Sequence, residues 1–199
     1  MIPPILRVAL ILTLPGLGSG CVGLAIGGAA AGGVAAVEER SLGTQIDDRT
    51  LYLKVNDKLL AQSGELFRKV NVEVNEGRVL LTGNVPKPED RVSAADLSWQ
   101  VMGVKEVLNE LVVTDRSELK DYPRDAWITT QLKTKLLADT KVLQINYSIE
   151  TINGVVYLIG IAQSQEELDH VVNHARNVAG VQRVVSYVRL KDDPKRRGA

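Results

Sequence analysis

The sequence predicts an α+β protein made of two tandem copies of one unit. Each copy reads helix–strand–strand–helix–strand, a three-stranded mixed sheet covered by two helices. Three observations carry this. Gly77, Gly83 and Gly103 recur as Gly154, Gly160 and Gly180 at one constant displacement, and at that displacement Asp48 meets Asp125, Leu59-Leu60 meets Leu136-Leu137, and Leu81 meets Leu158 without a gap. A fixed period of this kind marks duplicated units. Val70, Val72 and Val74 alternate as in a half-buried strand. Glu76-Gly77 and Asn153-Gly154 are tight-hairpin signals placed between strand patterns.

The first helix of copy one places Leu51, Val55 and Leu59 on one face, with Asp47-Asp48 suited to its N-terminus. After the Val70–Val74 strand, the turn leads into Arg78-Val79-Leu80-Leu81-Thr82. Gly83 and Gly160 close the second strands, where a glycine marks close backbone approach or an unusual backbone angle. The second helix of copy one starts near Pro88 and is expected to bury Val92, Ala95, Trp99 and Met102. In copy two, Ser164-Gln165-Glu166-Glu167 is a capping box ahead of a buried face of Leu168, Val171, Val172, Ala175 and Val178. Gly103 and Gly180 stop these helices. The last strands hold Val107, Leu111 and Val113, then Val184, Val188 and Leu190, each parallel to the strand before it. Units this small have thin cores, so the two copies are expected to lean on one another.

Arg7, the apolar run Val8–Leu14 and the break at Pro15-Gly16 have the layout of a secretory signal peptide. It ends Leu17-Gly18-Ser19-Gly20-Cys21, which resembles a bacterial lipobox and implies acylation of Cys21. Gly18 stands where that motif usually has Leu. Two other readings stay open: an ordinary signal peptide with an incidental cysteine, or one anchor helix over 8–37, against which Pro15 and the many glycines argue. Residues 22–37, nearly all Gly, Ala and Val, read as a tether near the bilayer. The expected layout is signal peptide 1–20, lipidated Cys and tether 21–45, first unit 46–114, linker 115–124, second unit 125–191 and basic tail 192–199.

In the first helix of copy two, Ile128, Leu132 and Leu136 form the packed stripe, leaving Trp127, Thr130, Thr134 and Leu137 on the other side with Lys133 beside them. Lys135 sits at the stripe's edge, and between Ala126 and Ala138 there is no Asp or Glu. An outward indole with lysines and no acids suits an anionic membrane surface. The competing reading is an indole tucked against the neighbouring unit. Copy one is an internal control: Thr50 stands at the place of Trp127 and Asp57 at that of Thr134.

With this order of elements, the chain resembles the dual BON-domain outer-membrane lipoproteins of Gram-negative bacteria from Cys21 onward. The small-residue tract after Cys21, Ser41–Asp48 and Trp127-Ile128-Thr129-Thr130 carry the likeness. The resemblance implies binding of anionic phospholipids (phosphatidylglycerol, cardiolipin) through Trp127, Thr130, Gln131, Lys133, Thr134, Lys135 and Leu137. It also implies support of outer-membrane integrity, recruitment to division sites and contact with the barrel-assembly machinery. Gln131 stands where the family has a lysine, and Lys135 is an added charge.

The 24 basic and 24 acidic residues cancel, which argues against a nucleic-acid partner. There is no Ser-His-Asp set in motif context, no phosphate-binding glycine loop and a single cysteine, so no enzyme activity or cofactor is expected. His170 and His174 have a metal-ligand spacing, yet no Cys or acid converges on them in the sequence and no metal is expected. Lys195-Arg196-Arg197 reads as a solvated tail, with lipid head groups as the other option. The rival to lipid binding is a periplasmic protein-interaction adaptor.

Overall fold

The computed structural model describes residues 40–114 and 122–197. The signal peptide, Cys21, the Gly/Ala tether and most of the linker lie outside the described residues. Copy one runs α1 (Leu42–Gln62), α2 (Gly64–Lys69), β1 (Val70–Asn75), β2 (Arg78–Val85), α3 (Pro88–Trp99) and β3 (Glu106–Val113). Copy two runs α4 (Tyr122–Ala138), a 3-10 turn (Gln144–Asn146), β4 (Tyr147–Ile152), β5 (Val155–Ala162), α5 (Gln165–Arg176) and β6 (Arg183–Leu190), then one helical turn at Pro194–Arg197. Each sheet has its second strand in the centre, antiparallel to the first and parallel to the third. The predicted duplicated α+β architecture is what the chain adopts.

Several expectations are corrected. α1 starts at Leu42, within the stretch read as tether, because the Ser41 hydroxyl accepts the Thr44 N–H and caps it there. Asp48 therefore sits inside the helix rather than at its start. The short α2 is an addition that copy two replaces with a 3-10 turn. α4 likewise begins at Tyr122, inside the expected linker.

The largest correction concerns α3. Its buried face is Ala94, Ser98 and the following Val101, with Leu97 partly buried, whereas Val92, Trp99 and Met102 are exposed. Ala94, Ser98 and Val101 are the repeat-equivalents of Val171, Ala175 and Val178, which bury as expected. The apolar stripe that looked like a core face points outward, and the true face hides behind a serine whose hydroxyl donates to the Ala94 carbonyl.

Both central strands are buried on two faces, which explains their nearly continuous apolar sequence. Val79, Leu81 and Val85 of β2 pack under α1 and α3, as Val156, Leu158 and Ala162 of β5 pack under α4 and α5. Leu80 points the other way and meets Tyr157 and Ile159, with Leu108, Ile152, Val155, Val185 and Tyr187 around them. The two sheets thus pack against each other through their helix-free faces. Polar groups bind the rim of this layer. Arg78, itself buried, donates to Glu106 at 2.6 Å and to the Tyr187 carbonyl at 2.8 Å. The Tyr187 hydroxyl donates to Glu110, and Asn84 and Asn153 exchange amide hydrogen bonds. Arg196 grips Glu76 with two bonds of 2.8 and 2.9 Å. That corrects the solvated tail: this arginine docks on the first unit.

Two acids also meet near the inter-sheet layer. Burial pushes the Glu150 carboxyl up to about 7, with the Glu73 charge adding to the rise and Lys133 opposing it. Burial raises Glu73 as well, against the Ser148 hydroxyl, Lys133 and Arg40. Between the ordinary carboxylate value of 4.5 and about 7, folded Glu150 holds a proton that the unfolded chain has released. Stability from this group therefore falls as pH rises through that window and is level above it. The urea midpoint should drop between about pH 5 and about pH 8, and Glu150→Gln should flatten that drop. An identical slope in the variant would remove Glu150 as its source.

Candidate functional site

α4 is fixed in rotation by its own N-terminal turn. The buried Asp125 carboxylate accepts the N–H groups of Asn153 at 2.7 Å and Gly154 at 2.8 Å, clamping the helix to the β4–β5 hairpin. Arg124 donates to the Gly180 carbonyl at 3.0 Å, and the hydroxyls of Thr129 and Thr151 meet at 2.7 Å. The bare Gly180 admits this approach: a Cβ there would stand 3.3 Å from both Arg124 Nε and Ile128 Cδ1. The sequence displayed Asp48 and Asp125 as equivalents, but their task as hairpin clamps spans a contact that only the fold creates. Asp48 does the same for Glu76 and Gly77, both at 2.9 Å.

With the helix so held, Ile128, Leu132 and Leu136 are fully buried. Trp127 is 48% exposed and Leu137 72% exposed, so the indole is not sealed between the units. Thr130 and Thr134 lie on the same outward face, and their hydroxyls donate back to the carbonyls of Ala126 and Thr130. Lys133 is exposed on one flank, while Lys135 and Gln131 are partly buried on the other. Lys133 also acts on Glu150 and Glu73, so its charge is shared between the inter-sheet acids and the outer surface. The predicted lipid-facing residues therefore share one helix surface, with an apolar strip between two lysine flanks. In copy one, the corresponding surface of α1 carries Thr50 and Asp57.

Two features escaped the sequence reading. The first is the outward stripe of α3 and the turn after it, with Trp99 52% and Met102 91% exposed. The repeat register, applied to this helix, would have revealed it. The second is Asp139, just past the end of α4. Its Oδ2 lies 3.1 Å from His170 Nδ1 and 2.7 Å from His174 Nε2, so an acid does converge on the histidine pair. The His174 contact, the Lys141 backbone N–H and His170 together hold the Asp139 carboxyl down at about 2. A cleft of about 520 Å³, lined by Arg40, Asp48, Tyr52, Glu73, Ile145 and Ser148 among others, opens between the units.

Gly83 and Gly160 lie inside their strands rather than at the ends expected, since pairing continues to Val85 and Ala162. Two helix-covered mixed sheets, each with such a glycine in its central strand, define a duplicated BON architecture. The BON-domain family model matches residues 47–115 and 124–192, and the chain belongs to this family. A protein from the gshII 5′ region of Anaplasma centrale is 46% identical over 153 residues, covering 76% of this chain and all of that protein. The outer membrane lipoprotein DolP of Haemophilus influenzae is 33% identical over 190 residues, 95% of this chain and 98% of that protein. The osmotically inducible protein Y of Escherichia coli is 31% identical, covering 75% of this chain and 76% of its own length. Among the described residues, no helix is long and apolar enough to cross a membrane.

Proposed function

We propose that this protein is a non-enzymatic outer-membrane lipoprotein, acylated on Cys21 and facing the periplasm, whose second BON unit docks on anionic phospholipid through α4. The observation that carries this is the half-exposed Trp127 on a helix surface free of acids between Ala126 and Ala138. Likeness to an outer-membrane lipoprotein along nearly the whole chain supports it. Indole insertion would contribute about 25 cal/mol for each Å² of apolar surface removed from water. A lysine near an anionic surface adds about 1 kcal/mol. The contact is weak alone and becomes effective once acyl chains hold the unit at the bilayer. The expected role is support of outer-membrane integrity and the envelope stress response, with recruitment to division sites and contact with the barrel-assembly machinery.

Liposome flotation of residues 38–199 tests the docking. Wild type should float with vesicles containing phosphatidylglycerol or cardiolipin, and Trp127→Glu should reduce the bound fraction at least about tenfold. Equal flotation of the two proteins would leave the adaptor reading. That reading is favoured by one observation, the outward Val92 and Trp99 of α3 and Met102 in the turn after it, a surface of the first unit suited to a protein partner. Anchoring is tested separately. Cys21→Ala should move the full chain into the soluble fraction, and unchanged membrane retention would rule out the acyl anchor.

A further inference from the structure

The geometry points to a divalent transition-metal site formed by Asp139, His170 and His174, with Zn²⁺ as the best-matched ion. One ligand atom from each residue lies within 4.8 Å of the others, the one such group among the described residues. Two imidazole nitrogens and a carboxylate oxygen are a borderline donor set, suited to Zn²⁺ and to its neighbours Co²⁺, Ni²⁺ and Cu²⁺.

The ligands are carried on packed elements. His170 and His174 are one turn apart on α5, which is anchored by the fully buried Val171 and Ala175. Asp139 follows directly on α4, and its Oδ1 accepts the Lys141 N–H at 2.9 Å, which aims Oδ2 at both rings. An oxygen held in this way is oriented before any ion arrives. The other nitrogen of His170, Nε2, lies 3.9 Å from Glu166 Oε1, close to the outer carboxylate partner that metal-bound imidazoles commonly have.

The ring-to-carboxylate separations of 2.7 and 3.1 Å suit hydrogen bonds. With arms of about 2.0 to 2.1 Å, tetrahedral ligand atoms stand about 3.3 Å apart, so the two ring nitrogens must each move off Oδ2 by about 0.2 to 0.6 Å. The His side chains are 33% and 30% exposed, which leaves water access to the site as a further ligand. Nothing in this site depends on the phospholipid surface.

The test uses the full chain without a histidine tag, stripped of metal and titrated with Zn²⁺ alone against a chromophoric chelator. One equivalent should bind with micromolar or tighter affinity, and Co²⁺ should give the visible absorption of a low-coordinate site. Asp139→Asn, which keeps a carbonyl acceptor for a ring N–H, should weaken Zn²⁺ binding at least about tenfold. His174→Ala should do the same, with far-UV circular dichroism reporting its folding. Failure of the wild type to compete with the chelator would overturn the site, as would equal affinities in wild type and Asp139→Asn. Either outcome would leave these residues as a hydrogen-bonded clamp between α4 and α5.

Discussion

Gly160→Ala is expected to lower stability by about 3 to 5 kcal/mol and the melting temperature by more than about 8 °C. Gly160 lies within β5 opposite Tyr147, the first residue of β4, at φ +155°. A Cβ there would stand 2.1 Å from the Asn146 carbonyl oxygen and 3.0 Å from Tyr147 Cα. Both obstacles are backbone, so no side chain can swing aside. The strand pair must separate, in the middle of a three-stranded sheet whose other face closes the inter-sheet layer. Gly83 repeats the situation, 2.1 Å from the Lys69 carbonyl oxygen. Gly43 is the control. It lies in α1 with only the Ser41 hydroxyl at 3.8 Å, so Gly43→Ala should be neutral or slightly stabilising. Thermal melting of the two variants side by side decides the matter, and a Gly160→Ala protein that melts with wild type would show that the strand contact is not as tight as described.

The second large effect is expected for Asp125→Ala, at about 2 to 4 kcal/mol. Its two oxygens accept the Asn153 and Gly154 amides, and removing them leaves the Gly154 donor buried without an acceptor. The loss should have a local signature, since hydrogen exchange at those two amides should accelerate more than elsewhere in β4 and β5. Asp125→Asn keeps one acceptor and should fall between wild type and alanine. Equal exchange at the hairpin in all three proteins would mean that the carboxylate does not hold the turn. Because the same carboxylate sets the rotation of α4, Asp125→Ala should also blunt the vesicle flotation, whereas Gly43→Ala should not.

Much of the fold could be read directly because the chain states it twice. Val70, Val72 and Val74 alternate, Asn153-Gly154 turns, and Gly83 and Gly160 sit where the backbone crowds. α3 was misread for a definite reason. Val92, Trp99 and Met102 are spaced like a core stripe, and a buried Ser98 does not look like core. Copying the register of Val171, Ala175 and Val178 onto Ala94, Ser98 and Val101 would have set the phase. On α4, helical periodicity alone separated the buried Ile128 and Leu132 from the outward Trp127. The Asp139 contact could not be read the same way, because a loop acid meets a helix more than 30 residues away only through folding. The role of Asp48 and Asp125 lay between these cases: the equivalence was visible, its purpose was not.

The layer between the sheets has a further meaning. Leu80 and Tyr157 are equivalent positions of the two copies, and they share one apolar cluster. Glu73 and Glu150 are equivalent too, and so are Glu110 and Tyr187, which are hydrogen-bonded to each other. Counterparts that meet their own counterparts are the signature of an isologous, twofold arrangement. Two separate copies closing this layer would bring two identical glutamates together near the axis. Carrying both units on one chain fixes the stoichiometry at one plus one and lets the halves differ. The second unit carries a tryptophan on its first helix where the first carries a threonine.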